Sequence, residues 1–173
     1  DINDLKKYGK ELNFEVIEIN ALEIEEVNIS STKIRLAVKE GNIQLANSYL
    51  GYNFFLSGEV VKGHSRGKEL GFPTANLKID EDKIMPKNGV YLVKSTIDNQ
   101  DTYGMMNIGY NPTFNNKSKK IETHFFNLKK NLYGKIIKIE LLEYIREEKR
   151  FETIDELIER LKLDREKCLK LIH

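Results

Sequence analysis

From Phe54 onward the chain is a succession of short β-patterned runs separated by turn residues, and this restricts its fold more than any other feature. Residues 54–61, 90–97, 103–108, 120–126 and 135–144 each read as a strand. In the last of them Ile137, Ile139 and Leu141 alternate with Lys138 and Glu140, so one face is apolar and the other polar. Pro86-Lys87-Asn88-Gly89 and Asn111-Pro112 supply turn chemistry at the joints. Short strands spaced this regularly predict a closed antiparallel barrel or a sandwich.

The flanks have a different texture. Residues 4–12 read as the end of a helix and residues 14–19 as a strand, an α/β element that cannot cover both faces of a sheet alone. Ser30-Ser31-Thr32 offers N-cap hydroxyls for a helix that Gly41-Asn42 stops. Asn42 caps a second helix, 43–50, which ends at Gly51. A domain boundary is therefore expected near residue 52, giving units 1–52 and 53–173. At the far end Thr153-Ile154-Asp155-Glu156 has the form of a capping box, and Asp164 is expected to cap a last, separate helix.

Charge narrows the function. Lys+Arg is 28 and Asp+Glu 27, a net charge of +1, without the basic excess of a dedicated nucleic-acid binder. Cys168 is the single cysteine, so there is no internal disulfide or cysteine-rich zinc site; it reads as a small packed residue. No apolar run approaches the ~20 residues that span a bilayer, and a cytoplasmic location is expected.

Residues 58–76 are the richest segment. They contain Gly58, Gly63, Gly67 and Gly71 together with Lys62, Arg66 and Lys68. Glycines let backbone N–H groups approach an oxyanion, and lysine adds a point charge. The spacing is not that of a P-loop: Gly63 and Gly67 are three residues apart, and Glu69 follows Lys68. A hairpin loop with charges for solubility is the plainer reading of spacing alone. Thr74 and Asn76, two apart in an extended segment, place two hard neutral oxygens on one side, suited to Mg²⁺; an Asx or ST turn uses the same residues.

In residues 121–126 Glu122 and His124 share one strand face, and Ile121 and Thr123 the other. A carboxylate on a strand face inside a barrel mouth could accept a hydroxyl proton, although a lone glutamate is more commonly one half of a surface pair with a lysine. Arg146 and Phe151 could meet a planar ligand, or could belong to a charged connector. Lys117, Lys119, Lys120, Lys129 and Lys130 read as a solvated face.

Taken in order, Gly58-x-Val60 through Gly63, Gly67-Lys68-x-Leu70-Gly71-x-Pro73-Thr74-Ala75-Asn76, Gly89-Val90-Tyr91, Asn107-Ile108-Gly109-x-Asn111-Pro112-Thr113, Glu122-Thr123-His124, Leu132-Tyr133-Gly134 and Ile145-Arg146-x-Glu148-x-x-Phe151 resemble the riboflavin kinase family. The resemblance covers roughly residues 54–172. It implies a mainly β fold, a six-stranded antiparallel Greek-key barrel with a C-terminal helix. It implies ATP and riboflavin as substrates, Mg²⁺ as the metal, and no nucleic-acid or membrane partner. By the same resemblance Gly63 and Lys68 line the ATP phosphates, Thr74 and Asn76 hold Mg²⁺ and phosphate, and Glu122 is the general base. Phe125, Asn127 and Tyr133 lie near the adenine nucleotide, and Arg146, Lys149 and Phe151 near the flavin. Asn127 departs from the family pattern, where an acidic residue or His is common.

Residues 29–35, Ile-Ser-Ser-Thr-Lys-Ile-Arg, resemble the closing motif of the FMN adenylyltransferase domain in bacterial bifunctional FAD synthetases. That domain opens with a His-x-Gly-His segment, which this sequence lacks. The expectation is a C-terminal piece of the bifunctional enzyme, with the other half missing, that makes FMN but not FAD. An oligonucleotide-binding barrel and a non-catalytic flavin-binding module are the rival readings.

Overall fold

The structure is a computed structural model that describes residues 1–18, 23–24, 27–63, 66–80, 82–110 and 119–172. The chain divides into two compact units, Asp1–Ser30 and Ser31–His173.

The first unit holds helix α1 (Ile2–Leu12) and a two-residue pairing of β1 (Glu23–Ile24) with β2 (Val27–Asn28). Asp1 and Asp4 form a reciprocal capping box at the start of α1, and Asn13 ends it in the left-handed conformation (φ 59°). The strand expected over 14–19 does not form in 14–18, and Ile19 lies outside the described residues. The Phe14 N–H instead turns back to the Gly9 carbonyl at 2.9 Å, and an extended segment without a paired neighbour has no ladder to join.

In the second unit α2 (Ser31–Glu40) and α3 (Ile43–Leu50) lead into strands β3 (Phe55–Val61), β4 (Ala75–Ile79), β5 (Gly89–Ile97), β6 (Gln100–Tyr110), β7 (Lys119–Phe125) and β8 (Ile136–Arg146). These six close into an antiparallel barrel in the order β3-β4-β7-β6-β5-β8. The helix α4 (Arg66–Glu69) lies between β3 and β4, where a plain hairpin loop was the simplest expectation. Strand β4 was not legible as a run of its own: it is five residues long and includes Asn76, a residue type depleted in strands.

Alternation sorts the side chains. Leu56, Val60, Leu77, Tyr91, Val93, Met106, Ile108, Ile121, Phe125, Ile137, Ile139 and Leu141 fill the interior as one apolar cluster. Ile43 of α3 joins it, and α3 is tied to the barrel by Asn47, whose amide donates to the Leu141 carbonyl at 2.9 Å and whose carbonyl accepts from the Phe54 N–H at 2.7 Å. On the outer face Val90, Leu92, Met105, Phe126 and Ile145 pack with Cys168, Leu161 and Leu169 of α5 (Ile154–Ile172).

Helix α5 is continuous, so Asp164 does not cap a separate helix. Its buried carboxylate is held by Arg146, with Nη2 at 2.7 Å, and by Arg160, with Nε at 3.0 Å. A carboxylate engaged by two guanidinium groups has nothing left to offer backbone donors. At the helix start the Thr153 hydroxyl accepts from the Glu156 N–H at 3.2 Å, as expected, while the Glu156 carboxylate accepts from the Glu152 N–H. Burial first, and then Asp164, pushes the Cys168 thiol up to about 12, which fits a packed and unreactive residue.

Candidate functional site

Asn76 of β4 lies directly opposite Glu122 of β7, and Glu122 lies directly opposite Asn107 of β6. Cross-strand partners share a face, with Cβ atoms about 5 Å apart. The odd-numbered neighbours Ile121, Thr123 and Leu77 point into the barrel. Asn76, Glu122 and Asn107 therefore form a polar row on the outer wall. The expectation of a carboxylate inside the barrel mouth is corrected on this point: strand alternation puts Glu122 outside, because a closed apolar interior has no room for an ionised group.

The glycine-bearing segment lies against this row. A Cβ on Gly63 would overlap the Asn76 amide, and one on Gly67 would come within 3.4 Å of the Thr74 hydroxyl oxygen. These two glycines thus act through close approach, Gly63 to the Asn76 amide and Gly67 to the Phe72 carbonyl and Thr74. Asn76 is 9% exposed. Lys68 is exposed on α4.

Next to them a cavity of about 220 Å³ opens at the barrel end where β3 and β7 finish and β4 begins. Val60, Thr74, Thr123, Phe125, Leu132 and Tyr133 line much of it. The Thr123 hydroxyl is buried there with no hydrogen-bond partner among the described residues. Of the residues expected near a nucleotide, Thr74, Phe125 and Tyr133 meet at this cavity. Asn127 is exposed in the turn after β7 with φ 57° and does not line it.

Lys120 Nζ stands 2.9 Å from the Glu122 carboxylate. His124 Nδ1 is 2.9 Å from the Pro73 carbonyl oxygen. A carbonyl only accepts, so Nδ1 carries the proton and the ring ties β7 to the residue before Thr74. The ring packs edge-on to Phe72 and Phe126, and burial lowers its pKa, with Arg165 adding to the shift.

Arg146, Lys149 and Phe151 cluster where β8 leaves the barrel. The Phe151 ring lies 5.9 Å from both the Arg146 and the Lys149 charge centres. The Arg146 guanidinium is already engaged by Asp164 and by the Glu147 carbonyl at 2.8 Å. The Glu148 carboxylate rests on Gly109, where any side chain would displace it, so the connector is drawn back onto the outer wall.

Several expectations lie elsewhere or outside view. His64, Asn111-Pro112-Thr113, Lys117 and His173 lie outside the described residues. Lys119 donates to the Pro86 carbonyl at 2.8 Å and Lys130 pairs with Asp98 at 2.8 Å, so neither is simply a solvated charge. Among the described residues no three His, Cys, Asp or Glu side chains gather as a metal cage, and no helix is long and apolar enough to cross a membrane. The Thr74 hydroxyl and Asn76 carbonyl, cradled by Gly67 and Gly63, still suit a hard cation that keeps waters and phosphate oxygens as its other ligands. Sequence reading missed Asn107 and Thr123; the signal for Asn107 was an amide between Met106 and Ile108, at a polar position of an otherwise apolar run.

The family description "Flavokinase: Riboflavin kinase" matches residues 50–172. A Bacillus subtilis bifunctional riboflavin kinase/FMN adenylyltransferase is 38% identical over 155 residues, covering 88% of this chain and 49% of the relative. Its Listeria monocytogenes counterpart is 37% identical over 164 residues, covering 94% and 52%. A solved Streptococcus pneumoniae structure described as a macrolide-efflux protein aligns with a TM-score of 0.85 at 36% identity, over 95% of this chain and 53% of that one. A riboflavin kinase structure from Trypanosoma brucei aligns with a TM-score of 0.50 at 23% identity, over 68% of this chain and 78% of that one, a likeness of fold. The chain spans about half the length of the curated relatives it matches.

Proposed function

The chain belongs to the riboflavin kinase family, and from that membership we propose that its barrel transfers the γ-phosphoryl group of ATP to the 5′-hydroxyl of riboflavin, giving FMN and ADP. The observation that carries this reading is the register pair Asn76–Glu122, which sets a carboxylate beside the Thr74 and Asn76 oxygens under a glycine-rich cover.

Phosphoryl transfer needs alignment and charge neutralisation more than covalent help. In the proposed reaction a bond forms between the riboflavin 5′-oxygen and the γ-phosphorus as the bond from that phosphorus to the β,γ-bridging oxygen breaks. The hydroxyl proton passes to the Glu122 carboxylate. Lys68 and the amides around Gly63 face the phosphates. Thr74 and Asn76 would hold a divalent metal, Mg²⁺ by the hardness of their oxygens, and that ion when bound supplies charge neutralisation at the phosphates. Phe125 and Tyr133 offer ring surface to the adenine nucleotide at the cavity, and Asn127, in the exposed turn after β7, would reach that nucleotide only from outside the cavity lining. On the acceptor side Phe151 stacks on the flavin, with Lys149 near it. Arg146 acts by docking α5 and fixing this connector, since Asp164 holds its charge.

Residues 1–52 are proposed to derive from the end of an adenylyltransferase domain, with 53–173 as the kinase domain, and the chain alone is proposed not to convert FMN to FAD. A cytoplasmic setting fits small soluble substrates. Incubation with riboflavin, ATP and Mg²⁺ followed by separation of the flavins tests all of this. FMN and ADP should accumulate in equal amounts without FAD. Absence of FMN overturns the kinase reading, and FAD overturns the restriction to one step.

A further inference from the structure

The outer row does not stop at Glu122. The register continues from Asn76 through Glu122 and Asn107 to Val90 of β5, and Val90 lies opposite Arg146 of β8. With neighbouring strands about 4.8 Å apart, Asn107 stands one step from Glu122, and Arg146 stands about 10 Å beyond Asn107. Glu148 on Gly109 draws the connector that bears Lys149 and Phe151 onto this same wall. Asn107 is half-buried, and its amide meets no hydrogen-bond partner among the described residues. A half-buried amide whose donor and acceptor meet none of the described residues is suited to a group that also donates and accepts, as an alcohol does.

From this order we infer that Asn107 is a specificity-determining residue that hydrogen-bonds the secondary hydroxyls of the acceptor's polyol chain and so sets its terminal hydroxyl at Glu122. The inference rests on the proposed kinase reading. The wall then matches the acceptor along its length: carboxylate at the terminal hydroxyl, amide at the inner hydroxyls, and the Phe151 ring at the flat aromatic end. The phosphoryl donor approaches from the opposite side, over Asn76.

The experiment compares two acceptors, riboflavin and a flavin bearing a 5-hydroxypentyl chain, which keeps the ring and terminal hydroxyl but has no inner hydroxyls. Each is assayed with the unaltered chain and with Asn107→Ala. Loss of one hydrogen bond predicts that Asn107→Ala lowers kcat/KM for riboflavin by about tenfold while changing the hydroxypentyl analogue by less than about twofold. KM for MgATP should stay unchanged in both cases. Asn107→Ser, which keeps a short hydroxyl, should fall between, and it carries the test if the alanine variant misfolds. Equal losses on the two acceptors, no loss on either, or a change confined to MgATP overturns the inference while leaving the kinase reading intact. An unaltered chain that phosphorylates neither acceptor removes both.

Discussion

The two faces of this barrel wall are built from alternate residues of the same strands, yet they do different work. The inner face, from Leu56 to Leu141, is a closed apolar cluster whose largest members are fully buried. The outer face carries Asn76, Glu122, Asn107 and Arg146 in register across neighbouring strands, under cover from the glycine segment, the connector and α5. A small barrel filled with side chains cannot host a charged triphosphate inside it. The interior supplies rigidity, and the exterior supplies groups whose spacing that rigidity sets.

Replacing one residue on each face at a time tests this division. The largest expected effect is Glu122→Gln. Loss of a general base should lower kcat by about 10²–10⁴-fold, with a nearly unchanged thermal midpoint, because the ion pair given up is a part-exposed one with Lys120. Near-normal FMN production by this variant would remove Glu122 from the mechanism. Next is Asp164→Ala, which strands Arg146 and Arg160 and should cost about 3–5 kcal/mol in urea unfolding. An undiminished stability would mean that α5 is not held by this pair.

On the inner face Leu141→Ala should cost about 2–5 kcal/mol of stability, while the fraction that remains folded keeps its kcat/KM. A specific loss of turnover in the folded fraction would blur the division between the faces. Thr74→Ala removes one contact to a charged ligand, worth about 1.5–3 kcal/mol. It should raise KM for MgATP and leave riboflavin binding near its original value; an unchanged metal dependence counts against it. The smallest effect concerns His124. Burial lowers its folded pKa below the ordinary value of about 6.5, so between those values the unfolded chain binds the extra proton. Stability should rise with pH up to about 6.5 and then level off. His124→Asn, which keeps an amide N–H near the Nδ1 position, should flatten that rise and cost below about 1 kcal/mol. A slope that persists in the variant would assign the titration to another group.

Much of this was legible beforehand. Strand β8 announced itself through alternation and β5 through the turn residues 86–89 before it, and α2, Asn42 and Gly51 through cap chemistry. Failures have local causes. Residues 14–18 have the composition of a strand but no ladder, and Asp164 has the composition of a cap but two arginine partners. In the candidate site Thr74, Asn76 and Glu122 were singled out by residue type and family order. The partners that give them position, Gly63 on Asn76, His124 on Pro73 and Asn107 beside Glu122, come from segments far apart in the chain.

Residue order by itself established a run of short strands joined by turns, the last with a polar and an apolar side, and left barrel or sandwich open, since period and turn chemistry are local properties. Which polar side chains stand next to each other depends on the folded barrel, because register between distant strands is set by how the whole interior packs. That register brings an amide, a carboxylate and a second amide into one row on the outside of the wall.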